Sequence, residues 1–291
     1  MRMVMLNTAR LTAVTIFLCL LSVTASHAVI QLVDSESSGN RINVDNNITS
    51  GIIATGSGFA GDFEVIMCGT FSDGNNTFLD PAPDSWSPID TGECGGSEQC
   101  ILGIYGRFDS SPDSTDISCN WTDPTDAFSA GSFRYFGVDP DDPIIDVTCI
   151  TGSEQTPVTT PAVEAEPGSA VILVAQLGNL EQFMFSVSPQ AEPIFQGEFF
   201  AIGGSEFGEQ SATIGFSALF PSGGSIPGIG IFPPGEFDWR TCAIVLRAAP
   251  TTIPTLSEWG MLAAASGLML LGVFFAVMRK KMHDASFDPS T

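Results

Sequence analysis

The run from Met261 to Met278 constrains this chain more than any other stretch, because its eighteen residues carry no charge. As a helix it would extend roughly 27 Å, close to the ~30 Å hydrocarbon thickness of a bilayer. Trp259 stands just before it, where an amphipathic ring suits the headgroup zone. Arg279, Lys280 and Lys281 follow at once, as the positive-inside bias asks of a cytoplasmic end. Small residues from Ala263 to Gly267 leave room for another helix to approach closely. The pattern predicts a single transmembrane helix over 261–278, with a basic cytoplasmic cluster and tail over 279–291. A buried C-terminal helix of a soluble domain is the alternative, but no charged residue marks the second face it would show.

The N-terminus points the same way. Arg2 and Arg10 precede an apolar core from Leu11 to Ala25, and Ser26-His27-Ala28 places small residues at −3 and −1. This is the pattern of a secretory signal peptide over 1–28, cleaved after Ala28 by a signal peptidase following Sec-type export. Leu18 before Cys19 does not fit a lipoprotein cleavage site, and no adjacent arginine pair supports the twin-arginine route. Residues 29–250 are therefore expected to cross the inner membrane unfolded and to fold outside, tethered by their C-terminus.

Between domain and span lies Ile253-Pro254-Thr255-Leu256-Ser257-Glu258-Trp259-Gly260. Pro254 lacks a donor and disfavours helix at Ile253, so the motif is expected to stay extended and accessible. With the apolar span and basic cluster behind it, this segment closely resembles the IPTL-CTERM sorting signal of Gram-negative bacteria, one of the PEP-CTERM-like tails. The resemblance covers residues 253–281 only. It implies recognition of 253–260 by an integral-membrane exosortase, removal of the tail, and passage of the cargo to the cell surface or extracellular matrix.

Composition excludes much chemistry. Residues 29–250 hold thirty Asp or Glu against Arg41, Arg107, Arg134, Arg240 and Arg247, with no Lys, for a net charge of −25. Such a surface repels nucleic acid and anionic lipid. Both histidines, His27 and His283, fall outside this domain. Ser-His-Asp and Cys-His catalysis and His-bearing zinc or copper sites are thereby excluded. The absence of Lys excludes Schiff bases, Ser-Lys dyads and Lys-Asn isopeptide bonds. A non-enzymatic domain without a cofactor is expected.

Six cysteines remain after signal removal: Cys68, Cys94, Cys100, Cys119, Cys149 and Cys242. An even count in an exported chain reads as three disulfides, and their pairing is open among 15 connectivities. The Gly-containing GGSEQ spacer favours Cys94–Cys100. If all pair internally, Cys242 must bridge back to the first half, making the domain one body or two stapled ones.

Short runs rich in β-branched and aromatic residues recur between Gly, Pro, Asp, Asn and Ser clusters. They include FEVIMC at 63–68, ILGIYGRF at 101–108, SFRYFGV at 132–138 and IIDVTCI at 144–150. Further runs lie at 170–177, 182–188, 197–202, 212–220 and 238–248. No segment shows a capped helical period. The prediction is all-β: a disulfide-stapled β-sandwich or jelly roll over 29–250. The Pro- and Thr-rich stretch 155–168 is either a linker dividing the domain or a long loop. The apolar, Gly/Pro-rich stretch 222–235 is either a partner-facing surface or a loop folded over the sheet edge.

Two weaker chemistries fit the remaining residues. Asp139, Asp141 and Asp142 follow a strand and offer carboxylates to Ca²⁺, although the pattern lacks the Gly and terminal Glu of an EF-hand. Asp113, Asp116, Asp123 and Asp126 form a second acidic region. A carboxylate pair hydrolysing a matrix polysaccharide needs only two suitably spaced acids. Trp86, Trp121, Trp239, Tyr105 and Tyr135 are the only Trp and Tyr in this domain that could form sugar platforms. The expectation for the domain is a structural, adhesive or matrix-associated role.

Overall fold

The most continuously apolar runs become the middle strands of two sheets. The computed structural model describes residues 29–40, 48–71, 85–95, 100–111, 113–125, 127–153, 158–178, 186–188, 194–204, 210–226, 228, 230–232 and 238–250. It also describes residues 266, 267, 269, 270 and 274. In chain order the strands are β1 (Gln31–Asn40), β2 (Ile48–Ala54), β3 (Phe63–Phe71), β4 (Ser87–Glu93), β5 (Cys100–Phe108) and β6 (Asp116–Thr125). Next come β7 (Ala127–Phe136), β8 (Ile144–Ser153), β9 (Val158–Thr159), β10 (Val163–Ala165), β11 (Ser169–Gly178) and β12 (Ser186–Ser188). The last are β13 (Ile194–Gly204), β14 (Gln210–Phe220), β15 (Gly224–Ile226), β16 (Gly230–Phe232) and β17 (Asp238–Leu246).

Two antiparallel five-stranded sheets dominate, ordered β1-β7-β3-β5-β4 and β13-β14-β11-β17-β8. Every residue of β3 and of β11 is buried, and both strands are central in their sheets. A strand covered on both faces needs apolar residues at successive positions, not alternate ones. This is why FEVIMC and SAVILVA read as unbroken runs. The facing surfaces share one core: Val65 and Met67 of β3 with Leu102 and Ile104 of β5 pack against Ile172 and Val174 of β11 with Ile244 and Leu246 of β17. Each such side chain contributes roughly 1.5–3 kcal/mol on full burial.

Smaller elements cover the outer faces. The β2–β6 ribbon lays Ile53, Ile117 and Trp121 over Ile66, Tyr105 and Phe128 of the first sheet. Trp121 stacks on Phe128 with ring centroids 5.3 Å apart. On the second sheet, Val158, Val163, Ile226 and Ile231 of β9, β10, β15 and β16 cover Val171, Leu173 and Ala243. The described part of 155–168 contributes Val158, Val163 and Ala165 to this covering layer. The described part of 222–235 folds over a sheet face, not over its edge.

Three disulfides staple these layers. Cys68–Cys119 ties the ribbon to β3, Cys94–Cys100 closes the turn from β4 to β5, and Cys149–Cys242 joins residues directly opposite on β8 and β17. The expected short loop and the expected return of Cys242 to the first half are both present. Three disulfides suggest an extracytoplasmic domain.

By internal contacts the chain divides into His27–Pro250 and a second unit of Met1–Ser26 with Thr251–Thr291. The described residues of that second unit, Ser266, Gly267, Met269, Leu270 and Phe274, are helical. Met269, Leu270 and Phe274 are exposed. Among the described residues no helix is long and apolar enough to cross a membrane. Most of the expected span 261–278 lies outside them.

Candidate functional site

Three clusters of chemistry-bearing side chains stand out, and the first is charged. On the outer face of the first sheet, antiparallel register aligns Asp34 of β1, Arg134 of β7, Glu64 of β3 and Arg107 of β5 as successive neighbours. Charge alternates across four strands, so each arginine lies beside a carboxylate-bearing residue.

Arg134 is only 1% exposed, and every N–H of its guanidinium has an acceptor. Nε donates to Asp62 Oδ2 at 3.2 Å. Nη1 donates to Gly56 O at 2.9 Å, Glu64 Oε1 at 3.0 Å and Asp109 Oδ2 at 3.2 Å. Nη2 donates to Phe59 O at 2.9 Å and Ser111 O at 2.7 Å. Arg107 completes the cluster, donating from Nε to Glu64 Oε2 at 2.8 Å and stacking over Trp86 at 4.5 Å. Removing a guanidinium from water costs several kcal/mol, and only such complete pairing offsets it.

Burial pushes the Glu64 carboxyl above its ordinary range, while the hydrogen bond and charge of Arg107 pull it back. A carboxyl held upward is one mark of a general acid. Here, however, both oxygens of Glu64 are taken by arginines and the side chain is buried, which leaves no approach for a substrate. The cluster is a brace. It holds the loop 55–62 and the loop after β5 onto the sheet through the carbonyls of Gly56, Phe59 and Ser111.

The second cluster is neutral and lies between the two sheets. Ser129 Oγ meets Thr213 Oγ1 at 2.7 Å and Ser211 Oγ at 3.0 Å. Gln176 Nε2 donates to Ser211 Oγ at 2.6 Å, and Thr213 Oγ1 donates to Gln176 Oε1 at 2.6 Å. All four residues are fully buried. Gly69 of β3 makes room for them, since a Cβ there would collide with Gln176 Oε1. Catalysis by these hydroxyls would need a base, and their partners are other hydroxyls, backbone carbonyls and an amide. The cluster locks the mutual register of β7, β11 and β14.

In the third cluster, Asp90, Cys149 and Cys242 bring their ligand atoms within 4.8 Å of one another. The two sulfurs are joined in a disulfide, so neither is a thiolate ligand. Asp90 Oδ2 instead accepts from Arg240 Nη2 at 2.6 Å, and Arg240 Nη1 donates to Glu93 O at 3.3 Å. This is a clasp between β17 of the second sheet and β4, the edge of the first.

The calcium candidates do not converge. Asp139 Oδ1 accepts from the backbone N–H of Asp141 at 3.0 Å, while Asp142 pairs with Arg247 at 3.3 Å. Among the described residues they form no group with closely spaced ligand atoms. Trp86, Trp121, Trp239, Tyr105 and Tyr135 are all buried, so none presents a face to a sugar. The sorting motif 253–260, Arg279, Lys280, Lys281 and the cleavage residue Ala28 lie outside the described residues.

Sequence reasoning missed Arg107 and Arg134. Their signal was present: each interrupts an apolar, aromatic strand, ILGIYGRF and SFRYFGV, in a domain with five basic residues. A charge in such a setting is buried only when paired. Comparison of the chain with protein-family models, with curated proteins and with solved structures finds no match.

Proposed function

We propose that the chain is an exported envelope protein of a Gram-negative type, sorted by its C-terminal tail. In this reading signal peptidase releases residue 29 after Sec-type export, and the helix 261–278 holds the folded domain at the inner membrane. An exosortase-type enzyme then reads 253–260 and frees the domain to the cell surface or matrix. The order of IPTLSEWG, an eighteen-residue uncharged run and RKK is the observation that carries the proposal. Three disulfides in the domain support an oxidising destination.

The domain itself is read as a disulfide-stapled β-sandwich, jelly-roll-like, with a structural, adhesive or polysaccharide-associated role. Its support is the use of buried polar groups: the Arg134 guanidinium and both Glu64 oxygens are engaged within the charged cluster, the hydroxyl cluster lacks a base, and the cysteine cluster is oxidised. A Ca²⁺-dependent module gains nothing from the separate engagements of Asp139 and Asp142.

Fractionation tests the reading. Deletion of 253–281 is expected to move the domain out of the membrane fraction and to abolish any processed surface form. An unchanged distribution would refute the sorting role of the tail.

A further inference from the structure

We infer that Val29, Phe59 and Phe136 form a rim that contacts a zwitterionic lipid surface, at the end of the first sheet where the folded domain hands the chain on toward its apolar span. The inference rests on the membrane tether of the proposed function.

The three residues share one end of that sheet. Phe136 is the last residue of β7 and pairs with Gln31, the first of β1. Val29 lies beside Gly137, whose Cβ, if present, would meet Val29 O at 3.3 Å. Phe59 belongs to the loop that leads into β3, whose first residue pairs with Tyr135. Their exposures are 40% for Val29, 69% for Phe59 and 55% for Phe136. Single exposed apolar residues are ordinary, but a group of them beside one strand end marks a contact surface.

The loop carrying Phe59 is built to hold it out. The N–H of Phe59 donates to Asp62 Oδ2 at 2.7 Å, and its carbonyl accepts from Arg134 Nη2 and from Asp62 N. Gly61 turns the chain with φ +94°, and its N–H reaches Asp109 O at 2.7 Å. The buried charged cluster thus fixes the backbone of a loop whose one large side chain points to solvent. A ring presented this way loses little further freedom when it is buried by a partner.

Chain connectivity selects lipid as that partner. Ala249 donates its N–H to Gly137 O at 2.8 Å, and Ala248 bridges to Val138, so the domain ends next to Phe136. The apolar run begins at Met261, eleven residues after Pro250, a reach of at most about 40 Å when extended. Residues 55–61, TGSGFAG, carry no charge in a domain of net charge −25, so this loop can meet a lipid surface without desolvating an ionised side chain of its own. Asp139, Asp141 and Asp142 border the rim just past Val138, so the favoured surface is zwitterionic, not anionic. Aromatic side chains are well suited to such an interface.

Chain from Val29 to Thr291, whose one long uncharged apolar run is 261–278, tests this when reconstituted in phosphatidylcholine vesicles containing brominated-chain phosphatidylcholine, with Phe59→Trp as the reporter. Ile150→Trp is the control, 38% exposed on the edge strand β8 and roughly 20 Å along it from Ile144. The emission added by Phe59→Trp should be largely quenched by brominated lipid, and that of Ile150→Trp should not. Replacing most of the lipid by phosphatidylglycerol should weaken the quenching at 59. Equal, weak quenching at both sites in chain that still floats with the vesicles would overturn the rim and leave the tether standing. Chain that does not float at all would overturn the tether, and the rim with it.

Discussion

The domain buries two polar clusters, and they solve different problems. On the outer face of the first sheet, Arg107 and Arg134 hold Asp62, Glu64 and Asp109 in a charged brace. Between the sheets, Ser129, Gln176, Ser211 and Thr213 close a neutral ring of hydrogen bonds. The brace attaches loops to a sheet, and the ring sets one sheet's register against the other. Charge is tolerated in the first because loop carbonyls and three carboxylates surround the Arg134 guanidinium, while Glu64, Asp109, Thr115 and the Trp86 ring meet that of Arg107. In the second, the facing β-surfaces supply only short side chains, so neutral groups with several donors and acceptors fit better.

The largest expected effect comes from breaking the brace at its centre. Arg134→Met leaves Asp62 without its cationic partner, strips Glu64 and Asp109 of one of two, and should destabilise the domain by about 3–5 kcal/mol. Urea unfolding followed by tryptophan emission measures it, and a loss below about 1 kcal/mol would mean that the brace is incidental. Arg134→Lys should fall between parent and Met, because one ammonium cannot reproduce the guanidinium fork.

The neutral ring should respond more mildly. Gln176→Leu is expected to cost about 1–3 kcal/mol, the penalty for stranding the Ser211 and Thr213 hydroxyls. Adding Ser129→Ala, Ser211→Ala and Thr213→Val should recover part of that loss, since no hydroxyl of the ring is then left without a partner. Simple additivity of the four changes would contradict a cooperative ring.

The smallest effect separates the two clusters by pH. The native carboxyl of Glu64 is raised above its ordinary value near 4.5, chiefly by burial, so the folded state holds that proton more tightly than the unfolded chain. Its contribution is fully present below the unfolded value and is lost as pH rises through the raised native value. Glu64→Gln should flatten this part of the pH–stability curve, whereas Gln176→Leu should leave its slope unchanged. Parallel curves for parent and Glu64→Gln would contradict the assignment.

Legibility in the sequence followed burial geometry. Strands buried on both faces, such as FEVIMC within β3 and the Ala243–Leu246 stretch of β17, were readable as continuous apolar runs. β1 (QLVDSESSGN), β4 (SPIDTGE) and β6 (DISCNWTDPT) were not, because edge and ribbon strands need fewer apolar residues than strands covered on both faces. The short spacer exposed the Cys94–Cys100 pair. Cys68–Cys119 and Cys149–Cys242 depend on strand neighbours that spacing does not encode. The brace escaped because Asp62 with Glu64, Arg107 with Asp109, and Arg134 come from three separate segments, united only by register and loop closure.

The proposed function requires export, oxidation and trimming at both ends. Intact-mass measurement of the form released outside the cell, under non-reducing conditions, tests it most directly. The expected result is a single species beginning at Val29, ending before Met261, and lighter by the six hydrogens of three disulfides. A released species that retains Arg279–Lys281, or that carries free thiols at Cys68, Cys119, Cys149 or Cys242, would contradict it.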